Sequence, residues 1–144
     1  MMNGKNNRAN PGRQQNQENP VQEVLQAVDK FLNPIEDPKG ELLISSAEKL
    51  GSFLARVAKM TTSQIRNLYT EAKSINYKDS DGPYRVNLLR AKFAYIAGRY
   101  SQVRDLQKIA DKALAQIDSY EKFKRFIDFF EAVVAYHRAY GGKE

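Results

Sequence analysis

The 144-residue chain contains no cysteine and one histidine, His137. Without thiols there is no disulfide framework, no thiolate metal site and no cysteine nucleophile. A lone histidine on an apolar line lacks the second titratable group that acid–base nuclease chemistry uses. Any transition-metal site would have to be carboxylate-based. No run of about 18 apolar residues occurs, and the polar, Asn-rich beginning is not signal-like. Walker A, Gly-rich dinucleotide and G-x-S-x-G motifs are all missing. Asp79-Ser80-Asp81-Gly82 resembles the start of a calcium loop, but Leu88 stands where an EF-hand needs its glutamate. These residues read as a turn. The sequence predicts a soluble, cytoplasmic, non-enzymatic protein with no cofactor, no metal and no membrane segment.

What is present in excess is positive charge, and its location matters more than its total of +6. Residues 1–18 carry +2, residues 19–50 carry −3 and residues 101–144 carry +1. Residues 51–100 hold nine Arg or Lys against three acids. A pI near 9.5 with the excess confined to one region is the footprint of a phosphate-rich partner. Solubility alone would be served by scattered charge.

Residues 1–18 have no hydrophobic period and are expected to form a disordered polar tail, leaving 19–144 as one domain. Asn19-Pro20-Val21-Gln22 starts a helix with a cap, a proline at the first position and a candidate capping box. Its stripe is Val21, Val24, Leu25, Val28, Phe31 and Leu32, and the Pro-containing stretch 33–40 is a loop. A second helix is expected over 41–59, with Leu43, Ala47, Leu50, Leu54 and Val57 inward. Gly51 inside it marks a weakness or the close approach of another helix. Thr61, Thr62 or Ser63 caps a third helix carrying Ile65, Leu68, Tyr69, Ala72 and Ile75. A fourth helix begins near Pro83, with Leu89, Phe93, Ile96 and Tyr100 as its inner line. Ser101 is a candidate cap for a fifth, whose stripe is Val103, Leu106, Ala110, Ala113 and Ile117.

The last helix, about 119–140, has two adjacent apolar lines. Phe123, Ile127, Phe130, Val134 and His137 form one, and Phe126, Phe129, Val133, Tyr136 and Tyr140 the other. So wide a band belongs to a nearly surrounded helix or to a face shared with another subunit. Gly141-Gly142 is a natural stop. With no strand alternation, the fold class is all-α, a compact bundle of five or six helices.

Candidate functional residues come from the basic faces. In the fourth helix Arg85, Leu88, Lys92, Tyr95 and Arg99 share a stripe, with cations roughly 10.5 Å apart along the axis. That step suits alternate phosphates of an extended strand better than one tight anion pocket. In the third helix Arg66, Thr70, Lys73 and Tyr77 flank the core line. Arg56 and Lys59 close the second helix, where cations also complement the helix dipole. Arg90 and Arg138 complete the set by charge and wheel position. Tyrosine can stack on bases, and Tyr95 is the candidate here, although packing is the favoured reading for it.

Three segments, MTTSQIRNLY, LLRAKFAYIAGR and FKRFIDFFEAVVAYHRAYGG, resemble in order and spacing the small subunit of type III-A CRISPR–Cas (Csm) effector complexes. The resemblance covers roughly residues 45–140. It implies a small all-α protein without activity of its own, whose copies stack along the guide–target RNA duplex opposite the backbone subunits that hold the CRISPR RNA. Cleavage of RNA or DNA and cyclic oligoadenylate synthesis would belong to neighbouring subunits. Carried over by position, the implied RNA contacts are Arg66, Lys92 and Arg99.

The expected partners are therefore guide RNA, target RNA, other Csm subunits and further copies of the chain. A helix-swapped dimer is also compatible with the long loop at 33–40. A subunit serving any guide sequence can use phosphate contacts, which position without specifying. A different reading is a protein-interaction adaptor whose basic face meets an acidic partner protein. A carboxylate-based metal nuclease through Asp79 and Asp81 is the remaining enzymatic reading.

Overall fold

A computed structural model of the chain describes residues 19–144. The expected tail at 1–18 lies outside the described residues. Among the described residues six α-helices follow one another: α1 Pro20–Phe31, α2 Glu41–Arg56, α3 Thr62–Lys73, α4 Gly82–Arg99, α5 Arg104–Leu114 and α6 Tyr120–Ala139. A single 3₁₀ turn, Ser101–Val103, links α4 to α5. The described residues contain no strand, so the chain is an all-α bundle. None of these helices is long and apolar enough to cross a membrane.

The broad apolar band of α6 is internal. Phe123, Phe126, Phe129, Phe130 and Val133 are all buried in one core shared by the whole bundle. Phe129 stacks on Phe31 with centroids 4.5 Å apart, and Phe93 and Phe126 each lie 6.0 Å from Phe130. α6 lies along α2 for much of its length and also against α3, while α1 bridges α2 and α5 and α4 packs on α5. Gly51 lets α2 and α6 approach. A Cβ there would come within 2.8 Å of Tyr136 Cβ and 2.9 Å of both His137 N and Val133 O.

Several expectations change at helix ends. Asn19 caps α1 by accepting from Gln22 N at 3.1 Å, with no reciprocal bond from Gln22. α2 stops at Arg56 rather than Lys59, so Val57 is 64% exposed and Met60 takes the inward place instead. Lys59 has φ 65, a left-handed conformation that turns the chain and is unfavourable for a residue with a Cβ. Tyr100 lies past the end of α4 in extended conformation, and the buried line of that helix is Val86, Leu89, Phe93 and Ala97. Ser101 does not cap by its side chain but opens the 3₁₀ turn. Ile96 and Ile117 are only partly buried against the core.

The 33–40 loop is tied down by a buried ionic clamp. The Asp37 carboxylate accepts from Leu42 N at 3.1 Å and Leu43 N at 2.9 Å, capping α2, whose own cap residue is Gly40. Arg125 of α6 reaches the same carboxylate at 3.3 Å, the Asp37 carbonyl at 2.6 Å and the Phe31 carbonyl at 2.8 Å. One guanidinium therefore joins the end of α1, the loop and α6.

Two stability outcomes follow from these contacts. Arg125→Met leaves the buried Asp37 charge without its counter-charge and the Phe31 carbonyl without its donor, and should cost about 3–5 kcal/mol in a denaturant melt. Asp37→Asn should cost less, since its amide oxygen can still accept at the α2 terminus. Gly51→Ala should lower stability by about 1–3 kcal/mol through overpacking, despite alanine's better helix propensity. A rise in thermal midpoint for Gly51→Ala would contradict the close α2–α6 approach.

Candidate nucleic-acid interface

α3 is built where the ends of α2 and α6 meet. Thr61 Oγ1 accepts from Gln64 N at 3.1 Å and the Gln64 side chain accepts from Thr61 N at 3.0 Å, closing a capping box. Just past α6 the chain turns at Gly141, with φ 95, where Gly142 N donates to the His137 carbonyl and Gly141 N to the Arg138 carbonyl. The segment beyond it crosses the start of α3, where Thr62 N donates to the Lys143 carbonyl at 2.7 Å. His137 is buried in this junction with Nε2 2.8 Å from the Met60 carbonyl. It is a packing residue bonded to backbone.

Four of the cations singled out from sequence gather at this junction. Arg66 and Arg138 line one cleft of about 410 Å³, together with Thr62, Val134 and the carboxylate of Glu144. Lys59 lines an adjoining depression with Lys143 and the same Glu144. The Arg56 guanidinium lies over the Tyr140 ring, 4.6 Å from its centroid. Lys143 was not among the sequence candidates, because it follows the last helix and no wheel assigns it a face. Its backbone bond to Thr62 brings it there.

Further along α3, Lys73 lies over the Tyr69 ring at 5.7 Å and shares a shallow depression with Lys124 of α6. On α4, Arg85, Lys92 and Arg99 are all exposed on one side. Lys92 Nζ is 3.3 Å from Glu71 Oε2 across the α3–α4 cleft, and Arg85 pairs with Asp81 at 2.8 Å. The Arg99 guanidinium lies over the Tyr100 ring at 5.4 Å. Its pKa is raised, first by hydrogen bonding with Tyr95. Arg90 faces the other way. It binds Asp111 of α5 through Nε at 2.8 Å and Nη2 at 3.4 Å, and that hydrogen bonding raises its pKa.

The basic stripes of α3 and α4 do not form a single ridge. α3 leans on α6, so Arg66 lines the α3–α6 cleft, while Lys92 lines the α3–α4 cleft on the opposite flank. Between these edges α3 presents uncharged Asn67 and Thr70. Six of the eight cations have no described carboxylate in ion-pairing range: Arg56, Lys59, Arg66, Lys73, Arg99 and Arg138. Asp79 and Asp81 serve the turn before α4, accepting from Asn76 and Arg85. Among the described residues no three metal-ligating side chains cluster.

The Tyr140 hydroxyl donates to Glu48 Oε2, and this bond, ahead of the charge of Glu48, raises its pKa above the ordinary 10.0. The phenol is thus favoured protonated in the folded chain. This contribution to stability is complete below the unfolded pKa and fades as pH rises through the folded one. A difference titration of the wild type against Tyr140→Phe should show a late-ionising tyrosine, and Glu48→Gln should shift it earlier. No change in that titration would mean the bond does not form.

The family described as Csm2 Type III-A matches this chain over residues 37–143. The "CRISPR system Cms protein Csm2" of Streptococcus thermophilus is 37% identical over 115 residues, covering 74% of this chain and 91% of that protein. No solved structure matches the chain.

Proposed function

The chain belongs to the Csm2 Type III-A family, and from that premise we propose that it is a non-catalytic structural subunit of a type III-A CRISPR (Csm) ribonucleoprotein complex. In this reading it works in the cytoplasm in antiviral defence, binding guide and target RNA through phosphates without reading bases. Copies stack along the guide–target duplex beside other Csm subunits, so a weak site on each copy is multiplied by avidity.

The observation that carries this reading is the set of six cations without described carboxylate partners, four of them around the α2–α3–α6 junction. Arg and Lys with no carboxylate partner among the described residues are open to phosphate oxygens, and releasing counterions from RNA supplies the driving force. Lys92 can exchange its exposed Glu71 partner for phosphate at small cost, because exposed pairs are worth little. Arg90 is the weakest member of the set, since Asp111 already holds it by two bonds.

Reversing Arg66, Lys92 and Arg99 to Glu should abolish RNA retention in a filter assay at low salt while leaving the helical circular dichroism intact. For the wild type, log K should fall by about 0.7 per phosphate neutralised on a single strand as log salt rises. Unchanged RNA binding by the triple variant would defeat the reading. Weak RNA binding combined with undiminished assembly onto other Csm subunits would instead identify a protein-interaction adaptor.

A further inference from the structure

The outer face of α4 has no work in the bundle and is unusually rich in rings. Tyr84 is 65% exposed, Leu88 49% and Tyr95 62%. With Ala91, also exposed, they fall at i, i+4, i+7 and i+11, one straight line along the helix opposite buried Phe93. Arg85, Lys92 and Arg99 run beside this line on the α3 side, and α4 contains no acidic residue at all. The two tyrosines stand roughly 16.5 Å apart along the axis, with cations along the edge at about 10.5 Å intervals.

We propose that this face of α4 is a stacking platform for unpaired RNA nucleotides, with base faces on Tyr84 and Tyr95 and phosphates along Arg85, Lys92 and Arg99. This rests on the RNA-binding reading and extends it from phosphates to bases. Rings over a cationic edge are how single strands are held without sequence preference, because every base has a π-face. A purely apolar partner would leave Arg99 uncompensated, while the exposed carboxylates that hold Arg85 and Lys92 can be exchanged for phosphate at small cost. Leu88 and Ala91, between the rings, give a low apolar floor that does not compete for hydrogen bonds. The ligand is nucleotides outside the base-paired stretch, since paired bases present only their edges.

The test measures full-length chain binding to a single-stranded RNA homopolymer and to an abasic oligomer of equal length and charge. The wild type should bind the base-containing strand more tightly. Tyr84→Ala and Tyr95→Ala should each remove about five- to hundred-fold of that affinity. Tyr84→Ala should leave abasic binding and the salt slope unchanged, because no cation leans on that ring, whereas Tyr95 also hydrogen-bonds Arg99 and its variant is read on base preference alone. Both tyrosines are largely exposed, so unaltered thermal melting is expected for the variants. Equal wild-type affinity for the two strands would overturn the platform while leaving phosphate binding standing. Binding to neither strand would bring down the RNA reading and this proposal with it. If the variants keep full RNA affinity but lose self-association or capture of an acidic protein, the face is a protein-docking surface and the proposal fails.

Discussion

The Arg125–Asp37 clamp is the contact on which the arrangement of the bundle most depends. α1 and α2 are joined by a Pro-containing loop with little apolar side-chain content, and Ile35 there is 86% exposed. Hydrophobic burial alone therefore does not fix the loop. The clamp does so with polar groups that would be costly to bury apart: one guanidinium, one carboxylate, two main-chain carbonyls and two helix-terminal N–H groups. By holding the end of α1 to α6, it sets Phe31 against Phe129 and closes the aromatic core around the last helix. Desolvation opposes such a pair, so its value lies in registering the elements as much as in net stability.

The fold sorts cations of similar sequence character into different roles. Arg125 and Arg90 bind carboxylates and carbonyls within the chain, and Lys112 donates to the Leu25 carbonyl. Arg56, Lys73 and Arg99 lie over tyrosine rings, which attract a cation without neutralising it. A cation on a ring is oriented yet remains available to an oxyanion, whereas a bidentate carboxylate pair is already satisfied. That distinction separates Arg56 at the junction and Arg99 at the end of α4 from the structural pairs.

A surface of this kind fits a partner whose charge is regular and whose sequence varies. Phosphates repeat while bases do not, so separated cationic edges offer register without selection. The two edges lie on opposite flanks of α3, and a polynucleotide bound to both would cross its uncharged crest. This places the burden of affinity on several modest contacts and on repetition between copies, not on one deep pocket.

Much of the bundle was legible because helical period is written into the chain. The count of five or six helices, a cap among Thr61, Thr62 and Ser63, the Gly141-Gly142 stop and one of the two readings of Gly51 all rest on local chemistry or on the lack of a side chain at one position. Helix ends were less legible. The left-handed Lys59 and the inward Met60 depend on where α6 lies, and propensity carries no record of that. Basic residues could be named from composition and wheel position, which fix the side of a helix but not its neighbour. Only the packed structure decided that Arg90 meets Asp111, that Arg66 joins Arg138 and that Lys143 comes to Thr62. Local sequence determines which faces are apolar or charged, because 3.6 residues per turn is a property of the backbone. Which charged faces end up together depends on contacts far apart along the chain, and those exist only once the helices have packed.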